Sequence, residues 1–327
     1  MVRESEHAAA PTAPPDPTPV GVGVPTDRRS GPTAGPDADL VAEVANRVGS
    51  AREAAWIVEH VAGASDGASG PVAARSEALA LADRRAAGEP LQYVLGTWQF
   101  RTLELAVDRR VLIPRPETEQ VVEVALAELA RMGAGRPSDG VPLVCVDLGT
   151  GSGAIGLSLS VEGPERVACP LEVWATDRSA GALDVARANL DALSGTDPVA
   201  GARVTLSEGS WFEALPAHLV RRVDLIVSNP PYVAEEEFPE LDPGVRDWEP
   251  FGALVAPRGR SGVTGLADVE TVVTGAARWL GPSGALVVEL APSQAYAAID
   301  VARRAGFTRV GTARDLAGRM RMLVAGR

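Results

Sequence analysis

The tetrapeptide Asn229-Pro230-Pro231-Tyr232 follows an apolar run, Val223–Ser228, and places an amide, two rings without N–H groups and a phenol at one strand end. These residue types suit the holding of a planar nitrogen that carries two hydrogens. The lone pair of such a nitrogen is delocalised, so it attacks poorly. The Asn229 side-chain oxygen and the Pro230 carbonyl can accept its two N–H bonds and aim it at an electrophilic methyl group. Tyr232 can cover the flat face of the bound group. The prolines stiffen the loop and put no donors where acceptors are wanted. Positioning of this kind supplies rate without a strong base. Asn229, Pro230 and Tyr232 are therefore the candidate catalytic residues, and Pro231 joins them as substrate-binding. An isolated Pro-Pro pair would read as a plain turn, but other motifs accompany this one.

The run Leu143–Leu148 leads into Gly149-Thr150-Gly151-Ser152-Gly153, then Ala154-Ile155-Gly156. Glycines at a strand-to-helix turn let a ligand approach the backbone closely. Residues Gly151 to Gly156 match G-x-G-x-x-G, so this loop alone leaves a nicotinamide dinucleotide and other nucleoside cofactors open. Asp177 ends the next strand, where a carboxylate can accept both hydroxyl protons of a ribose. Capping the helix that starts near Ser179 is its other available role. Hydride transfer has no use for Asn229-Pro230-Pro231-Tyr232. Methyl transfer to nitrogen does.

These motifs need a sheet that brings several strand ends together. From Leu143 onward, strands at Leu143–Leu148, Leu171–Thr176, Arg203–Leu206, Val223–Ser228 and Ala285–Leu290 alternate with helical stretches such as Ala180–Leu193. That alternation predicts an α/β fold with a mostly parallel sheet covered on both faces. Thr308–Thr312 and Arg321–Ala325, joined through Gly318, are expected to pair antiparallel. Upstream, Leu40, Val44 and Val48, then Ala54, Ile57, Val58 and Val61, repeat with helical spacing, and Ala73–Ala87 is a third helix. Tyr93–Phe100 and Leu103–Val107 read as a β-hairpin. Residues 1–39, rich in Pro, Gly, Ala and Thr, are expected to be a disordered tail.

The 327 residues carry a formal charge of -12, and all 31 basic residues are arginine, which excludes lysine nucleophile and Schiff-base chemistry. An acidic total argues against a protein that lives on nucleic acid. Cys145 and Cys169 suit a reduced compartment. With only His7, His60 and His218 beside them, no metal site is expected. No apolar run approaches the roughly 20 residues of a membrane span, and the N-terminus lacks the pattern of a signal peptide. A cytoplasmic protein is expected.

With GEPLQYVLGTWQF (88–100), VLIPRPETE (111–119), DLGTGSGAIGLSLS (147–160), SNPPYV (228–233), WEPFGAL (248–254) and VVELAPSQ (287–294), the chain resembles class I S-adenosylmethionine-dependent methyltransferases. More closely, it resembles the HemK/PrmC-type protein-(glutamine-N5) methyltransferases. The resemblance runs from about residue 50 to the C-terminus. NPPY is shared with N6-adenine methyltransferases, whereas RPETE preceded by GEPLQY is particular to this family. It implies a Rossmann-like sheet with a small helical domain at 40–90 that docks the substrate. A linking hairpin at 91–112 and the transferase domain at 113–327 would follow. Gly149, Thr150, Gly151, Ser152 and Gly153 would cradle the methionine and ribose of S-adenosylmethionine, and Asp177 would bind the ribose hydroxyls. Trp211 would lie beside the adenine, a core aromatic being its plainer role. Asn229 would border the cofactor and, with Pro230, Pro231 and Tyr232, hold the glutamine amide.

The implied partner is a class I peptide chain release factor, methylated in its Gly-Gly-Gln loop, with no membrane and no direct nucleic-acid contact. A ribosomal-protein glutamine, an adenine N6, and cofactor binding without catalysis are the alternatives. Arg115, Glu117 and Glu119 fit equally as cofactor contacts or as an ion-pair cluster at a helix start. Glu235-Glu236-Glu237 reads as a solvated loop. Two positions depart from the family pattern: Ser210 stands where Asp is frequent, and Met320 where an acidic residue is usual.

Overall fold

A computed structural model of the chain describes residues 37–64, 70–134 and 140–327, so the tail expected over 1–39 lies outside the described residues up to position 36. Helix α1 (Ala38–Val48) starts where the Asp37 carboxylate accepts from the backbone N–H groups of Asp39 and Leu40, and stops at Gly49 with φ 74°. It packs with α2 (Ala51–Ala64) and α3 (Pro71–Ala86) around Leu40, Val44, Ile57, Val58, Val61, Ala78 and Ala82. The expected helical periodicity is what forms this small core.

The strand expected from Tyr93 starts later. Residues Leu91–Leu95 form a short helix, α4, opened by Pro90 and closed by Gly96 at φ 74°. Only Gly96, in a left-handed conformation that costs other residues energy, releases the chain into β1 (Thr97–Phe100). That strand pairs antiparallel with β2 (Leu103–Ala106). Helix α5 (Pro116–Gly133) follows, with Pro116 in its first turn, where no N–H partner is needed.

The chain then runs β3 (Leu143–Leu148), α6 (Ala154–Glu162), β4 (Leu171–Asp177), α7 (Ala180–Thr196), the short α8 (Pro198–Gly201), β5 (Val204–Glu208), β6 (Val223–Ser228) and β7 (Val233–Ala234). Two short helices, α9 (Pro243–Arg246) and α10 (Phe251–Leu254), lead to β8 (Val255–Ala256) and α11 (Ala267–Trp279). The last elements are β9 (Leu280–Glu289), α12 (Ala295–Arg304), β10 (Arg309–Arg314) and β11 (Met320–Gly326).

Among the described residues, seven strands form the main sheet in the order β10-β11-β9-β6-β3-β4-β5. The five from β5 to β9 run parallel, while β11 is antiparallel to both β9 and β10. Strand β9 begins at Leu280 instead of the expected Ala285. The turn-like Gly281-Pro282-Ser283-Gly284 disguises the pairing of Leu280 with Val223, and a register shift in β6 absorbs it.

Every residue of β3 is buried. Leu143 and Cys145 face the layer of α5 and α6, while Val144, Val146 and Leu148 face the layer of α11 and α12. That alternation is the two-residue period of a strand, and each fully buried Leu or Ile contributes roughly 1.5–3 kcal/mol. The chain builds from β3 through β4 to β5, then returns to the far side of β3 for β6. The carboxyl ends of β3 and β6 flank this reversal, the place where open α/β sheets hold ligands. Among the described residues, no helix is long and apolar enough to cross a membrane.

Candidate active site

Register assembles the site. Leu148 of β3 pairs with Thr176 on one side and with Ser228 on the other. The residues that follow these three, Gly149, Asp177 and Asn229, therefore arrive side by side. Ser228 also pairs with Val288, so Glu289 flanks Asn229 from β9. A cleft of about 330 Å³ opens over this edge, lined by Gly149, Thr150, Gly151, Ser152, Asp177, Trp211, Asn229 and Pro231 among others. Gly153, Pro230 and Tyr232 stand outside that lining.

The glycine loop needs its glycines. Gly149, Gly151 and Gly153 have φ of 72°, 56° and 88°, values that strain any residue with a Cβ. The N–H groups of Gly149 and Thr150 both donate to the Thr176 carbonyl at 2.8 Å. Asp177 accepts from the Gly151 N–H through Oδ2 and from the Ser179 N–H through Oδ1, each at 2.9 Å. Helix α7 is capped by Ser179, whose hydroxyl accepts from the Ala182 N–H, so Asp177 holds the loop instead of capping. Each of its oxygens keeps a further lone pair for a ligand hydroxyl. Asn189 secures the loop from behind by donating to the carbonyls of Ser152 and Ala106.

Trp211 has φ 50° and opens the turn after β5. Its ring edge comes within 3.5 Å of where a Cβ on Gly149 would lie. The ring also packs on the sheet's second core layer, so its core and cleft roles coincide. Ser210, the first departure from the family pattern, lines the cleft beside it.

Beneath the loop lies Asp147, fully buried. Its Oδ2 accepts from the Thr150 hydroxyl at 2.6 Å and from the Gly156 N–H at 2.9 Å, while Oδ1 has no hydrogen-bond partner among the described residues. Burial pushes this carboxyl up to about 7, against the opposing pull of those two donors. A carboxyl raised on folding keeps its proton longer in the folded chain than in the unfolded one. Its contribution to stability is therefore retained at acid pH and lost as pH rises from about 4 through about 7. Asp147→Asn is expected to flatten the fall in urea midpoint across that window. An unchanged slope in the variant would show that Asp147 is ionised throughout.

At the other strand end, Asn229 Nδ2 donates to Thr118 Oγ1 at 3.2 Å, leaving Oδ1 as the amide's acceptor. The Thr118 hydroxyl donates to Glu289 Oε2 at 2.8 Å, and the Tyr232 hydroxyl donates to Oε1 of the same carboxylate at 3.1 Å. Burial pushes the Glu289 carboxyl up, and the Thr118 and Tyr232 hydroxyls and Arg321 pull it back. Burial likewise pushes the Tyr232 phenol up, and Glu289 adds to the effect, so Tyr232 stays a donor. Gln294 clamps the loop from outside, its Nε2 donating to the carbonyls of Tyr232 and Thr264.

Two side chains of the segment Arg115 to Glu119 form ion pairs with partners outside it, and Thr118 is turned to the site. Arg115 pairs with the buried Glu249, Glu117 with Arg319 at 3.3 Å, and Glu119 accepts from the Arg101 N–H at 3.1 Å. Thr118 is the residue of this segment that lines the cleft. Residue-type reasoning gave no role to Thr118 or Glu289. The available signal was a glutamate closing the all-apolar run Ala285–Val288, since a central parallel strand rarely spends a buried position on a charge.

Comparison with known proteins places this geometry in context. The family model "Methyltransferase small domain" matches residues 142–240. A release factor glutamine methyltransferase of Burkholderia pseudomallei (strain K96243) is 43% identical over 247 residues, covering 75% of this chain and 78% of that protein. Its counterpart in Bordetella pertussis is 42% identical over 273 residues, covering 81% of this chain and 91% of that protein. The Bifidobacterium longum counterpart is 38% identical over 248 residues, covering 75% of this chain and 79% of that protein.

Proposed function

This chain belongs to the release factor glutamine methyltransferases, and from that premise we propose that it methylates the side-chain amide nitrogen (N5) of the glutamine in the Gly-Gly-Gln motif of class I peptide chain release factors, supporting translation termination. The methyl donor is S-adenosylmethionine. The observation that carries the reading is the fixed orientation of Asn229, whose Nδ2 is engaged by Thr118 and whose Oδ1 is left to accept at the cleft.

The residues present fit the cofactor. Left-handed glycines bare the backbone of the loop, and a Cβ on Gly149 would fill the space against Trp211. The Asp177 carboxylate stands ready for vicinal hydroxyls, and Trp211 offers an aromatic wall. When bound, S-adenosylmethionine supplies an electrophilic methyl on a sulfonium. The protein's part is to hold the weak nucleophile. Asn229 Oδ1 and the Pro230 carbonyl accept the two N–H bonds of the substrate amide, which restricts the nitrogen to one approach. The methyl would leave the sulfonium as that group becomes a neutral thioether, and one N–H proton would pass to solvent, so the nitrogen ends as a neutral N-methyl amide. Positioning carries the rate.

We further read residues 40–90 as the docking part, 91–112 as the link and 113–327 as the transferase. A core cluster confined to Leu40–Leu91 and its packed neighbours supports the first boundary. A groove of about 590 Å³ lined by Trp56, Trp98 and Trp248 among others suits the seating of the release factor. The cytoplasm, where release factors act, is the compartment this reading requires. The deciding experiment offers purified release factor, ribosomal proteins and DNA separately with labelled S-adenosylmethionine, then maps the label. Label on the release-factor glutamine is expected. Label only on adenine, or only on a ribosomal protein, would replace this reading.

A further inference from the structure

Glu289 closes β9 with 1% of its surface exposed, in a strand otherwise apolar from Ala285 to Val288. Burying a carboxylate is costly unless its partners compensate. Here two hydroxyls do so, Thr118 Oγ1 on Oε2 and Tyr232 OH on Oε1. A threonine hydroxyl has a single proton, and an ionised carboxylate can only accept. Once Thr118 gives its proton to Glu289, its oxygen can only accept from Asn229, and it does so from Nδ2 at 3.2 Å.

A side-chain amide is nearly symmetric in shape, so packing alone does not choose which end faces the cleft. The chain Glu289–Thr118–Asn229 does choose, because both oxygens of its terminal carboxylate accept from hydroxyls, which commits the Thr118 proton to Glu289. We propose that Glu289 is a positioning residue for methyl transfer: through Thr118 it sets the polarity of the Asn229 amide, so that Oδ1 meets the substrate's N–H bonds. The inference rests on a glutamine amide being the substrate. With the amide reversed, Asn229 would present its NH₂ group to an N–H donor, and the nitrogen would be repelled from the site that aims it.

The isosteric variant Glu289→Gln replaces one acceptor oxygen with an NH₂ group, which can face Thr118 as a donor. Its proton then turns toward Asn229, and the amide reverses. Thr118→Val removes the relay, whereas Thr118→Ser keeps it. With release factor and S-adenosylmethionine, E289Q and T118V are each expected to lower kcat by about 30-fold. Cofactor affinity should stay unchanged, and T118S should restore nearly the wild-type rate. The double variant E289Q/T118V should lose no more than either single one, as members of one relay must.

A readout without turnover is the affinity for short peptides carrying Gly-Gly-Gln or Gly-Gly-Glu, titrated without cofactor. Wild type should favour the glutamine peptide, and E289Q should shift the preference toward the carboxylate, an acceptor that suits the exposed NH₂. A merely structural tie would weaken both peptides alike and give additive losses in the double variant. Either result, or full activity in both E289Q and T118V, would overturn the inference. If wild type leaves release factor unmethylated, the proposed function falls, while the peptide preference still tests Glu289 independently.

Discussion

Asn229→Ala is expected to lower kcat on release factor by about 10³-fold or more, while affinity for S-adenosylmethionine stays within about twofold of wild type. The size follows from what the side chain does. It supplies one of the two acceptors that aim a delocalised nitrogen, and alanine leaves water to satisfy that N–H in no fixed direction. The selectivity follows from the fold. The glycine loop hangs on the Thr176 carbonyl and on Asp177, both on β4, whereas Asn229 follows β6. Folding should suffer little: one 3.2 Å hydrogen bond to Thr118 is lost, worth about 1 kcal/mol. Thr118 keeps its bond to Glu289. Equilibrium titration of the cofactor and single-turnover transfer on the same preparation separate the two quantities. A cofactor affinity that falls in step with the rate would move Asn229 from substrate holder to cofactor ligand.

The strands and turns that build the site were legible because each depends on nearby residues. The fully apolar β3, the glycines that follow it and the prolines that end β6 announce themselves within a few positions. The helix at Leu91–Leu95 was missed because Tyr93 and Val94 favour strands, and the competing signals, Pro90 and the left-handed Gly96, lie at its two ends. Arg115 and Glu117 could not be resolved for a different reason. Their partners Glu249 and Arg319 lie more than a hundred positions away in the chain.

The relay from Glu289 was hidden in the same way. Thr118 lies in the first turn of α5, Asn229 follows β6 and Glu289 ends β9, and only the pairing of Ser228 with Val288 makes neighbours of the last two. A buried glutamate in an apolar strand marked the position as anomalous without naming what it served. Composition carries the chemistry of single groups, but which group holds which is a property of register.

The second large effect is expected at Gly265, which does not line the cleft. Its φ is 67°, and an added Cβ would lie 2.3 Å from the Tyr232 carbonyl oxygen, 2.9 Å from Gln294 Nε2 and 3.0 Å from the Ala234 nitrogen. Two of these three neighbours are backbone of the loop that carries Asn229, and the third is the clamp on it. Gly265→Ala therefore pays the left-handed conformation, about 1–2 kcal/mol, together with overpacking of about 1–3 kcal/mol. The loop must move to relieve the clash, and a displacement near 1 Å at the substrate acceptors costs about 10²-fold in rate. Gly262 supplies the control in the same connection: its φ is 87°, yet nothing lies within 4 Å of its would-be Cβ. Gly262→Ala should show only the conformational cost in urea unfolding and keep its kcat within about twofold. Gly265→Ala should lose both stability and kcat while its cofactor affinity holds, because β3 and β4 are untouched. Equal kcat in the two variants would mean that the Tyr232 loop tolerates displacement, and that the rigidity assigned to its prolines does not govern the rate.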